Sequence, residues 1–276
     1  MHLVVQSPRL AAADVTDLSH LYPGSAVSRL GPAAVRIPNV APSPAVAQLC
    51  AARGLDFAYV PDGRLRESVG LVAMDMDSTL ITIECIDEIA DLQGLKPQVS
   101  AITAAAMRGE IDFAESLRRR VHLLAGLDIA ALERVYDERL QLSPGAESML
   151  AAFKAVGATT LLVSGGFTFF TDRLKARLGL DHTVANTLAI DNGKLTGGIA
   201  GPIVDAAMKA AALKTLSSAP VMLGKLAVAI GDGANDLPLL AAADVSVAYH
   251  AKPVVRERAT HAIDYCGLDA VVNLFL

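Results

Sequence analysis

Two aspartates that could hold a metal ion, Asp75 and Asp77, stand two residues apart in the stretch MDMDSTL, directly after the apolar run VGLVA. In a strand, side chains two residues apart project from the same side of the backbone, so these negative charges would crowd together. Asp232, in the stretch GDGAND, follows another apolar run and adds a third carboxylate. Such hard oxygen ligands suit magnesium, which would neutralise the charges and bind a phosphoryl oxygen. One aspartate would then be free to attack phosphorus.

Residues suited to binding phosphate follow or precede the other apolar runs. Ser164 with Gly165 and Gly166 follows ATTLLV, where a hydroxyl and main-chain amides opening a helix could hold phosphoryl oxygens. Lys209 lies on a predicted helix before LAVAIGDG and could stabilise negative charge in a transition state. Each feature alone has an ordinary explanation as a turn, a cap or a solvated lysine. Their joint occurrence at strand ends favours phosphoryl transfer.

The elements that must position these residues are buried strands. Four runs are apolar on both faces and alternate with helical patterns, namely VGLVAMD, ATTLLVSGG, LAVAIGDG and DVSVAYH. This alternation is typical of a doubly wound α/β fold, with a parallel sheet covered on both sides. Ligands of such sheets collect at the carboxyl ends of the strands. The polar residues should therefore meet in one cleft.

The patterns divide the chain of 276 residues into two parts. Residues 1–66 alternate short strand-like and helix-like pieces, and they predict a small N-terminal α/β module of roughly βαββαβ type. Residues 67–276 form the predicted main domain. Only helical patterns occur between its first two strands, so we expect a helical cap over about residues 85–142, lying as a lid over the strand ends. Asn192-Gly193 between alternating apolar positions predicts a β-hairpin.

Composition narrows the class of protein. A net charge of −5 and 4% aromatic residues argue against binding to nucleic acid. No window approaches the roughly 18 apolar residues of a membrane helix. The first residues lack a secretory signal, and three widely spaced cysteines suggest neither disulfides nor a thiolate zinc site. We therefore expect a cytoplasmic protein without a membrane partner.

Four motifs, DMDSTL, VSGG, Lys209 in DAAMK, and GDGANDLP, resemble those of the haloacid dehalogenase-like phosphohydrolases. The resemblance covers about residues 67–276. DMDSTLITIECIDEIA and GDGANDLPLLAAADVSVAYHAKP are most similar to the members that act on L-phosphoserine. The resemblance implies a magnesium-dependent hydrolase that converts L-phosphoserine into L-serine and phosphate, the last step of serine biosynthesis.

The resemblance also implies a role for each motif. Asp75 would be the nucleophile that forms an aspartyl-phosphate, and Asp77 would be the acid that protonates the leaving oxygen and then the base that activates water. Mg²⁺ would be held by Asp75, the main-chain carbonyl of Asp77, and Asp232. The phosphoryl group would contact Ser164, Gly165 and Lys209. Asn235 would lie at the substrate and, with Asp236, would order the metal ligands.

Selection of phosphoserine needs partners for its ammonium and carboxylate groups. By resemblance, Glu84 would bind the ammonium and Arg120 the carboxylate. Phe113 precedes Arg120 by seven residues, so both side chains can lie on one helix face and point into the same pocket. Met107 would extend the apolar wall. Motion of the segment 97–140 during turnover is a hypothesis from its position in the chain.

Two alternatives remain at the level of sequence. The chain could act on another small phosphate ester such as phosphohomoserine, because the length of the pocket cannot be read from the residues. It could also be an amino-acid-binding protein with a vestigial site. The module of residues 1–66 is compatible with an amino-acid-binding ACT-like domain, but the turn after LVVQS lacks glycine. Packing or homodimerisation is at least as well supported for this module.

Overall fold

A computed structural model describes all 276 residues, which contain two separate β-sheets. The smaller sheet belongs to the N-terminal region, whose elements are β1 (His2–Gln6), α1 (Ala12–Leu21), β2 (Ser28–Gly31), β3 (Ala34–Ile37), α2 (Pro44–Arg53) and β4 (Asp56–Val60). Its strands lie in the order β2-β3-β1-β4 and pair antiparallel. This is the βαββαβ order that the sequence patterns predict.

The larger sheet has seven strands in the order β11-β10-β9-β5-β6-β7-β8. All neighbours pair parallel except β7 and β8. The prediction of a parallel-sheet α/β fold is therefore confirmed. In chain order, the strands are β5 (Val69–Met74), β6 (Thr159–Phe167), β7 (His182–Asp191), β8 (Lys194–Ala200), β9 (Leu226–Gly231), β10 (Val245–Tyr249) and β11 (His261–Ile263).

Helices cover both faces of the larger sheet, as its apolar runs require. On one face, residues such as Val72 and Met74 pack in one apolar cluster with Phe153 and Phe170. On the other face, Leu71 and Ala73 pack with residues of two further helices. The covering helices are α7 (Ala146–Lys154), α8 (Thr168–Leu178), α9 (Ala206–Ser217) and α10 (Leu237–Ala241). Two short helices lie near the end of the chain: α11 (Pro253–Arg256) and a 3₁₀ helix over Leu268–Leu274.

Four helices lie between β5 and α7: α3 (Cys85–Leu92), α4 (Lys96–Met107), α5 (Phe113–His122) and α6 (Ala130–Glu138). Asp112 begins α5 by accepting a hydrogen bond from the Glu115 amide at 2.7 Å. The main chain after α5 pairs with β8, where the Gly126 amide donates to Leu195 and the Leu195 amide donates to Leu127. The connection is thus tied to the sheet at the end of α5.

The turn between β7 and β8 consists of Asn192 and Gly193, whose φ angles are 49° and 77°. Positive φ at both central residues matches the twist of a two-residue hairpin. The predicted hairpin is confirmed. No helix of the fold is both long enough and apolar enough to cross a membrane.

Candidate active site

The chain turns sharply where β5 ends. Met76–Leu80 forms one irregular helical turn in which Ser78 has a positive φ of 56°. Because β5 ends at Met74, Asp75 and Asp77 do not follow strand periodicity, and the prediction that their side chains alternate as in a strand is wrong. The turn itself brings both carboxylates to a cleft at the carboxyl end of the sheet.

A buried lysine neutralises the innermost carboxylates. Lys209, near the start of α9, places Nζ 2.7 Å from Asp75 Oδ1 and 2.8 Å from Asp236 Oδ1. All three side chains are buried. Burial opposes the charge of Lys209, but the two carboxylates outweigh it and raise the pKa of Lys209. The ammonium therefore remains charged beside Asp75.

Three carboxylates meet at one point of the cleft. Single oxygens of Asp75, Asp232 and Asp236 lie within 4.8 Å of one another. Burial, together with repulsion from Asp236, raises the pKa of Asp232 to about 6. A set of hard oxygen donors whose charges repel in this way fits a divalent cation such as Mg²⁺. Asn235 lines the same part of the cleft.

The Asp77 carboxylate is not in this acidic group. Its Oδ1 accepts a hydrogen bond from the Cys85 amide at 2.8 Å, and its Oδ2 accepts one from the Ser164 hydroxyl at 3.3 Å. The acidic group therefore contains Asp236 where the pattern of residues suggested the Asp77 carboxylate, and a metal site formed by Asp75, Asp77 and Asp232 stays a prediction. Burial raises the pKa of Asp77. A raised pKa suits a carboxyl group that gives and takes a proton.

Ser164, Gly165 and Gly166 form an irregular end of β6. The pairing of β6 with β7 shifts between Val163 and Phe167, so the three residues leave the regular ladder. They do not open a helix, as the sequence analysis expects, because α8 begins only at Thr168. A Cβ atom at Gly166 would lie 2.8 Å from Asp77 Oδ2. Glycine at this position therefore permits the close approach of Asp77.

A buried asparagine that the sequence analysis missed supports this strand end. Asn186, on β7, is fully buried. Its Nδ2 donates to the Gly165 carbonyl and its Oδ1 accepts from the Val204 amide, both at 2.8 Å. The only signal in the sequence is an amide residue within the strand pattern VANTLAI. Lys252, after β10, lines the cleft and was also missed.

The cleft also carries the charges of Glu84 and Arg120. Glu84, before α3, accepts a hydrogen bond from the Ser78 hydroxyl at 2.7 Å. Burial, with repulsion from Asp77 second, raises the pKa of Glu84 to about 7. Arg120, on α5, is half-buried, and this burial lowers the pKa of its guanidinium. No carboxylate lies within ion-pair distance of it. Its guanidinium is therefore free to bind an anion.

The cap helices complete the cleft, which has a volume of about 490 Å³. Phe113 and Arg120 both line it from α5, as their spacing predicts. Met107, at the end of α4, lies at the mouth with 70% of its surface exposed. The cleft therefore combines an acidic group, in which Asp75 is paired with Lys209, with two charged residues suited to an amino acid.

The chain is similar to known hydrolases over most of its length. Residues 72–241 match the family model described as haloacid dehalogenase-like hydrolase. A phosphoserine phosphatase of Albidiferax ferrireducens is 53% identical over 225 residues, which cover 79% of this chain and 93% of that protein. The structure of a probable phosphoserine phosphatase from Vibrio cholerae superposes with a TM-score of 0.86 at 39% identity, covering 99% and 85% of the two chains. A HAD family hydrolase from Salmonella enterica serovar Typhi gives a TM-score of 0.88 at 35% identity, covering 99% and 97%.

Proposed function

This chain belongs to the haloacid dehalogenase-like hydrolases, and on that basis we propose that it hydrolyses L-phosphoserine to L-serine and phosphate, the last step of serine biosynthesis. The observation that carries the proposal is the set of charged groups that share one cleft. It contains Asp75, which is paired with Lys209, and it also contains Glu84 and Arg120, which do not pair with each other. A phosphate monoester of an amino acid has groups complementary to these charges.

Lys209, Ser164 and Gly165 would bind the phosphoryl group through positive charge and hydrogen-bond donors. The Lys209 ammonium would attract its oxygens, and the Ser164 hydroxyl and the Gly165 amide would donate hydrogen bonds to them. Asp75, the Asp77 carbonyl and Asp232 would hold Mg²⁺, with Asn235 and Asp236 ordering this set. When bound, Mg²⁺ would neutralise the carboxylates and polarise the phosphoryl group.

The reaction would proceed in two transfers at phosphorus. In the first, an Asp75 oxygen attacks phosphorus, the bond to the serine oxygen breaks, and the Asp77 carboxyl gives its proton to that oxygen. In the second, Asp77 takes a proton from water, whose oxygen attacks the aspartyl-phosphate and releases phosphate. Both aspartates return to their starting states.

Glu84 and Arg120 would select the amino acid. The Glu84 carboxylate would pair with the substrate ammonium and the Arg120 guanidinium with its carboxylate. Phe113 and Met107 would form the apolar wall between them. Removal of the carboxylate from the substrate should therefore weaken binding without changing the chemistry at phosphorus.

The proposal is tested by release of inorganic phosphate from L-phosphoserine, L-phosphothreonine, phosphohomoserine and a simple alkyl phosphate, with Mg²⁺ or with EDTA. We expect a Mg²⁺-dependent preference for L-phosphoserine that Asp75→Asn abolishes, because an amide is a poor nucleophile. Preference for another ester would remove Glu84 and Arg120 as readers of serine. Binding of serine without hydrolysis of any ester would indicate a vestigial site.

The remaining features of the proposal concern the whole chain. We propose that residues 1–66 form a separate N-terminal module and that residues 67–276 form the hydrolase domain. Within this domain, residues 85–142 would form the cap. Three buried free cysteines support a reducing compartment such as the cytoplasm. Homodimerisation through residues 1–66 stays a prediction, which light scattering across a dilution series would test.

A further inference from the structure

A buried carboxylate is one of the contacts between the N-terminal region and the segment that follows the last strand of the larger sheet. Asp56, the first residue of β4, is 4% exposed. Its Oδ1 accepts the Asp264 amide at 2.7 Å, and its Oδ2 accepts the amides of Tyr265 at 3.1 Å and Cys266 at 2.9 Å. Three consecutive N–H groups aimed at one anion form a binding nest. Asp56 therefore fixes the loop 264–266, which directly follows β11.

The same loop is hydrogen-bonded to His250, the residue that directly follows β10. The Cys266 carbonyl lies 2.9 Å from His250 Nε2, so this nitrogen carries the proton and donates it. The His250 amide also donates to the Ile263 carbonyl at 2.8 Å. His250 has a φ of 45°, a left-handed conformation that surrounding contacts must maintain in a residue with a side chain.

Two residues after His250, the chain forms a wall of the candidate active site. The Lys252 amide donates to the Asp232 carbonyl at 3.3 Å. The Lys252 side chain lines the cleft together with Asp232, and its charge attracts the Asp232 carboxylate. A continuous set of bonds thus runs from the N-terminal region to the turn that carries Asp232.

Other contacts hold the N-terminal region in one place. Val4, Ala58 and Val60 belong to the same apolar cluster as the larger sheet. Gln6 bonds through both ends of its amide to the C-terminal segment, donating to the Ala270 carbonyl and accepting from the Asn273 amide group. This region is packed as part of the domain core, as a fixed support would be.

We propose that Asp56 is a positioning residue of the active site: through the loop 264–266 and His250, it holds Lys252 and the Asp232 turn in place for phosphoryl transfer. The kinetic effects expected from this proposal rest on the proposed function. It gives residues 1–66 a structural task at the catalytic cleft, fulfilled without any ligand of their own.

The first test removes the negative charge but keeps the shape, with Asp56→Asn. The matched control is Asp62→Asn, the same change at an exposed position of the same region, where Asp62 pairs with the chain's amino terminus. We expect kcat/KM for L-phosphoserine to fall about tenfold for Asp56→Asn, a loss within the range of charge-assisted hydrogen bonds, and to stay unchanged for Asp62→Asn. Amide exchange should accelerate in 264–266 and also in 250–252.

A double-mutant cycle separates positioning from a general loss of stability. In a Lys252→Met background, Asp56→Asn should cause little further loss of kcat/KM, because the bonds it disturbs act through the segment of Lys252. His250→Ala, which cuts the path while leaving the Asp56 contacts intact, should reproduce the kinetic effect. It also serves as the test if Asp56→Asn does not fold.

The outcomes are distinct. The proposal would be overturned if the losses of kcat/KM from Asp56→Asn and Lys252→Met were additive. It would also be overturned if amide exchange became faster in 264–266 while kcat/KM and exchange in 250–252 stayed unchanged. Hydrogen exchange needs no substrate, so it reports on positioning even if the wild-type protein releases no phosphate from L-phosphoserine. In that case the proposed function fails, and the exchange result alone decides whether Asp56 positions the segment.

Discussion

Replacement of Arg120 by alanine should remove selectivity for the substrate carboxylate. Arg120 makes no ion pair in the free protein, and its one hydrogen bond runs to the Ser116 carbonyl of the preceding helical turn at 3.4 Å. Arg120→Ala therefore leaves no carboxylate of the protein unpaired, and the fold should be little affected. The cost should fall on the complex with substrate, whose carboxylate would lose its partner.

The magnitude follows from the loss of one partner of a partly buried, hydrogen-bonded charge pair. That loss costs about 2–5 kcal/mol, which corresponds to a decrease in kcat/KM of about 30-fold to several thousand-fold. Hydrolysis of an alkyl phosphate without a carboxylate should hardly change. The matched control is Arg118→Ala, on the same helix but exposed and outside the cleft, which should leave both activities unchanged.

The assay is phosphate release under Mg²⁺ from L-phosphoserine and from the alkyl phosphate, for the wild type and both variants. Thermal unfolding of each variant establishes that the proteins are folded at the assay temperature. An equal loss on both substrates for Arg120→Ala would refute the assignment, because it would place Arg120 in the phosphoryl chemistry or the fold.

Three further predictions concern the other residues of the cleft. Burial raises the pKa of Glu84 to about 7, so its negative charge is lost as the pH falls through that value. We therefore expect kcat/KM for L-phosphoserine to fall in this range of pH. An ester without an ammonium group should lack this Glu84-dependent decline. Gly166→Ala should lower kcat about 100-fold, because its Cβ would displace Asp77; unchanged kcat would contradict that contact. Lys209→Met should lower the free energy of unfolding by about 3–5 kcal/mol, because it leaves Asp75 and Asp236 buried without a cation. In urea titrations, Mg²⁺ should stabilise this variant more than it stabilises the wild type.

The pattern of residues was sufficient to predict the class of fold and many of the residues that line the cleft. Runs that are apolar on both faces can be buried only inside a covered sheet, and their polar ends must then meet at one edge. Asn192-Gly193 specified a hairpin because both residues tolerate positive φ. These are local properties of the chain, and a pattern of residue types is sufficient to express them.

Which atoms meet depends on tertiary contacts. Asp77 bonds to Cys85 and Ser164 while Asp236 joins the acidic group, because the turn after β5 breaks strand periodicity. The path from Asp56 to the catalytic cleft joins positions about 200 residues apart in the chain. Side-chain directions in loops and contacts between distant segments depend on packing of the whole chain, and no spacing of residues along the sequence carries that information.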